Sequence, residues 1–168
     1  LMVKQTPYEA PAPAIINAGI QFRSARIANG IAHGYQADVG KGYWGSLYHE
    51  HGRRMLARNP DTEEKNINRE GWNRYEILAV GERLWLAVNG KITVALRDPF
   101  GEEEGLIALQ IHGGLPQTVM YKDLKLTHDP KIELAGMGED ALNALLIDAP
   151  ETGEAPNAGK KKKEAKAP

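Results

Sequence analysis

The chain has 168 residues, 42% of them hydrophobic, and a formal charge of −1, which suits one buried core and gives no electrostatic reason for a nucleic-acid or anionic-membrane partner. It contains no cysteine, so a disulfide framework and thiolate metal sites are excluded. No apolar run is long enough to span a bilayer, no secretion signal is visible, and nothing in the sequence calls for a nucleotide cofactor.

Residues 1–14 carry Pro7, Pro11 and Pro13, which disfavour a helix and a central strand alike. They are expected to form an extended lead-in, the remnant of a truncated N-terminal part. Residues 15–24 alternate as a first strand, Asn29-Gly30 suits a turn, and residues 33–39 form a second strand. A short third strand is expected over 44–48. Alternation is then lost over 49–70, which reads as a long excursion off the sheet. It returns over 72–80, and residues 83–88 and 91–96 flank Asn89-Gly90 as a hairpin. Residues 105–112 and 117–127 complete a set of about seven strands without intervening helices. That pattern predicts an all-β, antiparallel β-sandwich over 15–128. Ala141, Leu142, Leu145 and Leu146 recur at helical spacing, so a short helical extension is expected within 129–148. Residues 149–168 have the composition of a disordered, lysine-rich tail. Lys160 to Lys163 read as a solvated tail rather than a surface anchor.

Side chains two apart on a strand share a face. Gln21 with Arg23, Gln36 with Asp38, and Gln110 with His112 should therefore stand opposite apolar rows. Amide, carboxylate, guanidinium and imidazole groups are the inventory that pairs with sugar hydroxyls. Taken singly they have plainer roles: Arg23 and Asp38 as a cross-strand ion pair, His112 as a hydrogen-bonded sheet residue, and Gln110 as a buried amide. His49, Glu50 and His51 invite a metal reading, although a solvated loop explains the two histidines as well.

Asn17-Ala-Gly-Ile-Gln-Phe-Arg-Ser24, Gly34-Tyr-Gln-Ala-Asp38, Tyr43-Trp-Gly-Ser-Leu-Tyr48, Trp72-Asn-Arg-Tyr75, Trp85 to Gly90 and Leu109-Gln-Ile-His-Gly-Gly114 together resemble the 3-keto-disaccharide hydrolase domain family. The resemblance covers Asn17 to about Leu126. It implies a concanavalin A-like jelly roll, a secreted or periplasmic location, and action on glycosides oxidised at carbon three. It further implies His112 or Asp38 as base, Arg23 as the electrophilic partner, and Glu50 orienting it or binding a divalent ion. Gln21, Gln36, Gln110, Arg54 and Tyr48 would hold substrate. A divalent metal of unknown identity, held by Glu50, Asp38 and His112, is a further implication. Two departures stand out: His49 occupies the place of an expected aspartate, and strands normally found upstream are replaced by the proline-rich lead-in, which would leave a sheet edge exposed. The alternative is a noncatalytic carbohydrate-binding module using Tyr35, Tyr43, Trp44 and Trp85 as an aromatic platform.

Overall fold

A computed structural model of the chain describes residues 1–11 and 14–153. Its strands are β1 (Met2–Thr6), β2 (Ala18–Arg26), β3 (Ala32–Val39), β4 (Leu47–Glu50), β5 (Arg54–Ala57), β6 (Asn73–Val80), β7 (Arg83–Val88), β8 (Lys91–Arg97), β9 (Leu106–Ile111), β10 (Thr118–Lys122) and β11 (Ile147–Asp148). One sheet of six runs β10-β1-β6-β7-β8-β11, and a second of five runs β5-β4-β3-β2-β9. Neighbours are antiparallel except β11, which lies parallel to β8. The protein is thus a β-sandwich, as the alternation predicts.

Between the sheets the apolar row of each strand meets its counterpart. Ala18, Ile20 and Phe22 of β2 and Tyr35, Ala37 and Val39 of β3 pack with Leu84, Leu86 and Val88 of β7 and Leu96 of β8. A smaller cluster covers the outer face of the six-stranded sheet. Leu134 and Leu142, the latter on the short helix α1 (Glu139–Asn143), lie over Leu78, Trp85 and Ala87. The Trp85 indole N–H donates to the Leu142 carbonyl at 3.0 Å, which satisfies the ring's polar atom inside this layer. The residues around α1 are therefore a packed part of the domain. Residues 154–168, which hold most of the expected tail, lie outside the described residues.

Several sequence expectations change. The lead-in contains β1, which sits between β10 and β6 rather than off the sheet. Its prolines begin at Pro7, beyond the strand's last residue, so they cost β1 no ladder bond, and Val3 is fully buried. The third strand starts at Leu47 and extends to Glu50, while Trp44 belongs to the preceding turn. The supposed excursion includes β5, paired with β4 through Tyr48–Met55 and Leu47–Ala57. Tyr35, Trp44 and Trp85 are 1%, 2% and 0% exposed, so they are packing residues and make no platform for a sugar.

The sandwich is open along β9, where Ile107, Leu109 and Ile111 stand about half exposed on the strand's inward side. Elsewhere, an open cleft of about 650 Å³ lies between Tyr8 and residues 62–69. At its floor, both carboxylate oxygens of the buried Glu64 are engaged, by the Tyr8 hydroxyl and by the Gly42 N–H at 2.7 Å. Glu64 is thus a tie between three loops.

Candidate functional site

The five-stranded sheet turns its second face outward, and register decides which side chains meet there. Gly19 on β2 stands opposite Asp38 on β3 and Gln110 on β9. One step along, Gln21 stands opposite Gln36, and Gln36 opposite Tyr48 on β4. Glu50 pairs with Gly34, the next position on the same row. Alternation therefore brings Gln21, Gln36, Asp38, Tyr48, Glu50 and Gln110 onto one face.

Depth varies across this face. Gln21, Gln36 and Asp38 are 5%, 0% and 2% exposed, whereas Tyr48, Glu50 and Gln110 are half-buried, and His51, Arg54 and His112 are exposed. A buried floor is thus ringed by accessible side chains. At the floor, the Gln36 Nε2 amide donates to Asp38 Oδ1 at 2.8 Å. Asn17 donates a second side-chain bond to Asp38. Burial nevertheless pushes the Asp38 carboxyl up to about 7; the neighbouring Glu50 charge adds to this, while the two amide bonds and Arg58 act against it. Glu50 is also raised by burial, with His51 and His112 pulling the other way. Glu50 and His112, from β4 and from the end of β9, therefore feel one another across the face. His112 is held in place by its own Nδ1, which donates to the Gly113 carbonyl at 2.5 Å.

Arg23 does not join them. The register of β2 shifts between Phe22 and Ala25, and Arg23 takes a left-handed backbone at φ 48°. Such a bulge re-aims a side chain. Its guanidinium donates to the Gly81 carbonyl at 2.6 Å, in the β6–β7 turn of the other sheet, and to the Glu102 carbonyl at 3.4 Å. The expected pairing of Arg23 with Asp38 gives way to this tie between sheets. Two cations act on the polar face: the Arg54 charge on Tyr48 and the Arg58 charge on Asp38.

The metal set expected from Asp38, Glu50 and His112 is not assembled. Among the described residues, the three-residue group whose ligand atoms lie within 4.8 Å of one another is His33, His49 and Glu102. His49 Nε2 is 2.9 Å from Glu102 Oε2, and His33 Nδ1 is 3.4 Å from Glu102 Oε1. Two imidazoles and a carboxylate are a donor set that could hold a divalent ion. The Arg53 N–H donates to His49 Nδ1 at 3.2 Å, which places the His49 proton on Nε2, aimed at Glu102. An ion bound through Nε2 has to displace that proton. His49 also points to the opposite side of β4 from Tyr48 and Glu50, against the Tyr35 ring at 5.3 Å. This cluster is therefore separate from the polar face. Sequence reasoning placed His49 in a loop, and its partner Glu102, 53 positions later, leaves no local signal.

Beside it, Asp98 holds the end of the sandwich together. The Tyr35 hydroxyl donates to Asp98 Oδ2 at 2.5 Å, Arg53 Nη1 donates to Oδ1 at 2.9 Å, and the Phe100 N–H donates to Oδ1 at 3.1 Å. Burial alone would raise the Asp98 carboxyl, but these donors hold it below the ordinary carboxylate value.

An antiparallel β-sandwich with a buried amide and carboxylate floor, ringed by histidine, arginine and tyrosine, has the makings of a carbohydrate-active domain. The chain belongs to the 3-keto-alpha-glucoside-1,2-lyase-like domain family, whose profile matches residues 2–127. That membership gives a carbohydrate hydrolase or lyase at the level of the family. No curated protein matches the chain.

Proposed function

We propose that the polar face of the five-stranded sheet cleaves glycosides oxidised at carbon three, by elimination followed by hydration. The observation that carries this reading is Asp38: a carboxyl poised at about 7, on the face shared with Glu50, in a domain of this family. A ketone at carbon three acidifies the hydrogen on carbon two. A base with a pKa near neutrality takes that proton, and the electron pair moves onto the ketone oxygen as an enolate. The enolate reforms the carbonyl and expels the aglycone oxygen from carbon one, which leaves with a proton. Water then adds across the carbon one–carbon two double bond, and the sum is hydrolysis. No oxocarbenium ion forms, so the carboxylate pair of an ordinary glycosidase is not required.

Asp38 is the base in this scheme. Arg54 replaces Arg23 as the cation beside the enolate oxygen. His112 and Glu50 flank the leaving group, and Gln21, Gln36, Gln110 and Tyr48 contact the sugar. A divalent ion at His33, His49 and Glu102 would support the fold from the other side of β4, and the reaction is not routed through it. A jelly-roll strand order and a secreted or periplasmic location fit the same reading.

The test is direct. Incubation with a 3-keto-glucoside should release aglycone with transient enone absorbance, while the unoxidised glucoside stays intact. Saturable binding of either sugar without release would instead make the domain a binding module. Equal cleavage of both sugars would rule out the elimination route.

A further inference from the structure

Two buried oxygen atoms on the polar face have no hydrogen-bond partner: Gln36 Oε1 and Gln110 Oε1. Both are acceptors, and the Gln36 oxygen is held in that role by the rest of its amide. The Gln36 amide is oriented by its own Nε2, which is committed to Asp38 Oδ1 at 2.8 Å. A flipped amide would set oxygen against a carboxylate oxygen.

The two side chains are neighbours because of Gly19. Gly19 stands opposite Gln110 on one side and Asp38 on the other. A Cβ at position 19 would fall 2.4 Å from Gln36 Cγ, 2.5 Å from its Cδ and 2.9 Å from its Nε2. The Gln36 carboxamide therefore lies in the space that a side chain on β2 would fill, leaning toward β9. Strands in a sheet are about 4.8 Å apart, so the Gln36 amide and Gln110 are within the span of one sugar ring. A buried acceptor without a donor is a deficit that a ligand hydroxyl removes.

We propose that Gln36 and Gln110 form a paired acceptor floor that selects a sugar by two hydroxyl donors and turns its keto oxygen away. This rests on the functional reading above and deepens it. A keto oxygen carries no proton and would meet two lone-pair-bearing atoms at the floor. It is therefore driven toward the cationic rim at Arg54, the side where the enolate charge has to be stabilised. A ring held on this floor also lies beside Asp38, since Gln36 and Asp38 are hydrogen-bonded to each other. Binding and proton removal are thus set by one amide. Gly19 is the third member of the device, because any larger residue displaces the Gln36 carboxamide.

The experiment compares methyl 3-keto-α-glucoside with its 2-deoxy and 4-deoxy counterparts through the KM of initial-rate cleavage by the native chain, Gln36→Met and Gln110→Met. Methionine keeps the length of the side chain and removes the acceptor. On the native chain each deoxy sugar should raise KM about tenfold, the equivalent of one hydrogen bond. Each variant should erase the penalty for one deoxy sugar and retain it for the other. If both deoxy sugars match the KM of the parent on the native chain, or if the penalties survive in both variants, the proposal is overturned while the functional reading stands. If no sugar is cleaved, both fall. Because the comparison on the native chain involves no substitution, misfolding of a variant does not shield the proposal.

Discussion

Asp38→Asn is expected to lower kcat/KM toward a 3-keto-glucoside by about 10²–10⁴-fold, the range that a positioned general base contributes. The same change should leave the fold as stable as the native chain at pH 8, or more so. The sign follows from proton linkage. Asp38 is raised from an ordinary 3.8 to about 7 in the folded state, so the folded chain binds more protons than the unfolded chain between those values. Native stability contributed by this group therefore falls as pH rises from about 4 to about 7, by up to roughly 4 kcal/mol. An asparagine carries no such penalty. Urea unfolding at pH 5 and pH 8, beside steady-state kinetics, checks both halves. A variant that loses activity and also several kcal/mol at pH 8 would show that Asp38 holds the fold rather than the chemistry.

Gly101→Ala is expected to destabilise the fold by several kilocalories through a single methyl. A Cβ there would stand 1.5 Å from the Tyr35 hydroxyl oxygen, 2.5 Å from its Cζ and 2.8 Å from Asp98 Oδ2. Tyr35 has nowhere to retreat, because its ring stacks on Phe22 at 5.4 Å in the core. The methyl must break the Tyr35–Asp98 bond and leave a buried carboxylate short of a donor, a loss of about 2–4 kcal/mol. For a domain of this size that lowers Tm by roughly 5–15 °C. Thermal melts read it, and Gly101→Ala combined with Tyr35→Phe should recover part of the loss by removing the clashing oxygen. A Gly101→Ala chain that melts with the native one would mean that Tyr35 is not confined as the packing requires.

Strands long enough to alternate were legible, and so was the β7–β8 hairpin, because Asn89-Gly90 fixes its turn between two periodic runs. β1 was missed because the prolines that follow it coloured the whole segment, although none falls within Met2–Thr6. β5 was missed because four residues, Arg54–Ala57, are too few to show a period. The polar face was legible for Gln21, Gln36, Asp38 and Gln110, whose parity holds through regular ladders. Arg23 escaped the same rule because parity breaks at a bulge, and a left-handed arginine has no signature in sequence. The His33–His49–Glu102 cluster joins residues that only tertiary contact brings together, so spacing could not reveal it.

The two outward faces of the sandwich are finished differently. Leu134 and Leu142 seal the sheet that carries Trp85, whereas the sheet that carries Asp38 keeps a hydrophilic exterior. The domain consequently has a back and a front. A label, a carrier protein or a solid support attached through α1 occupies the back, and leaves the front open to whatever diffuses toward it.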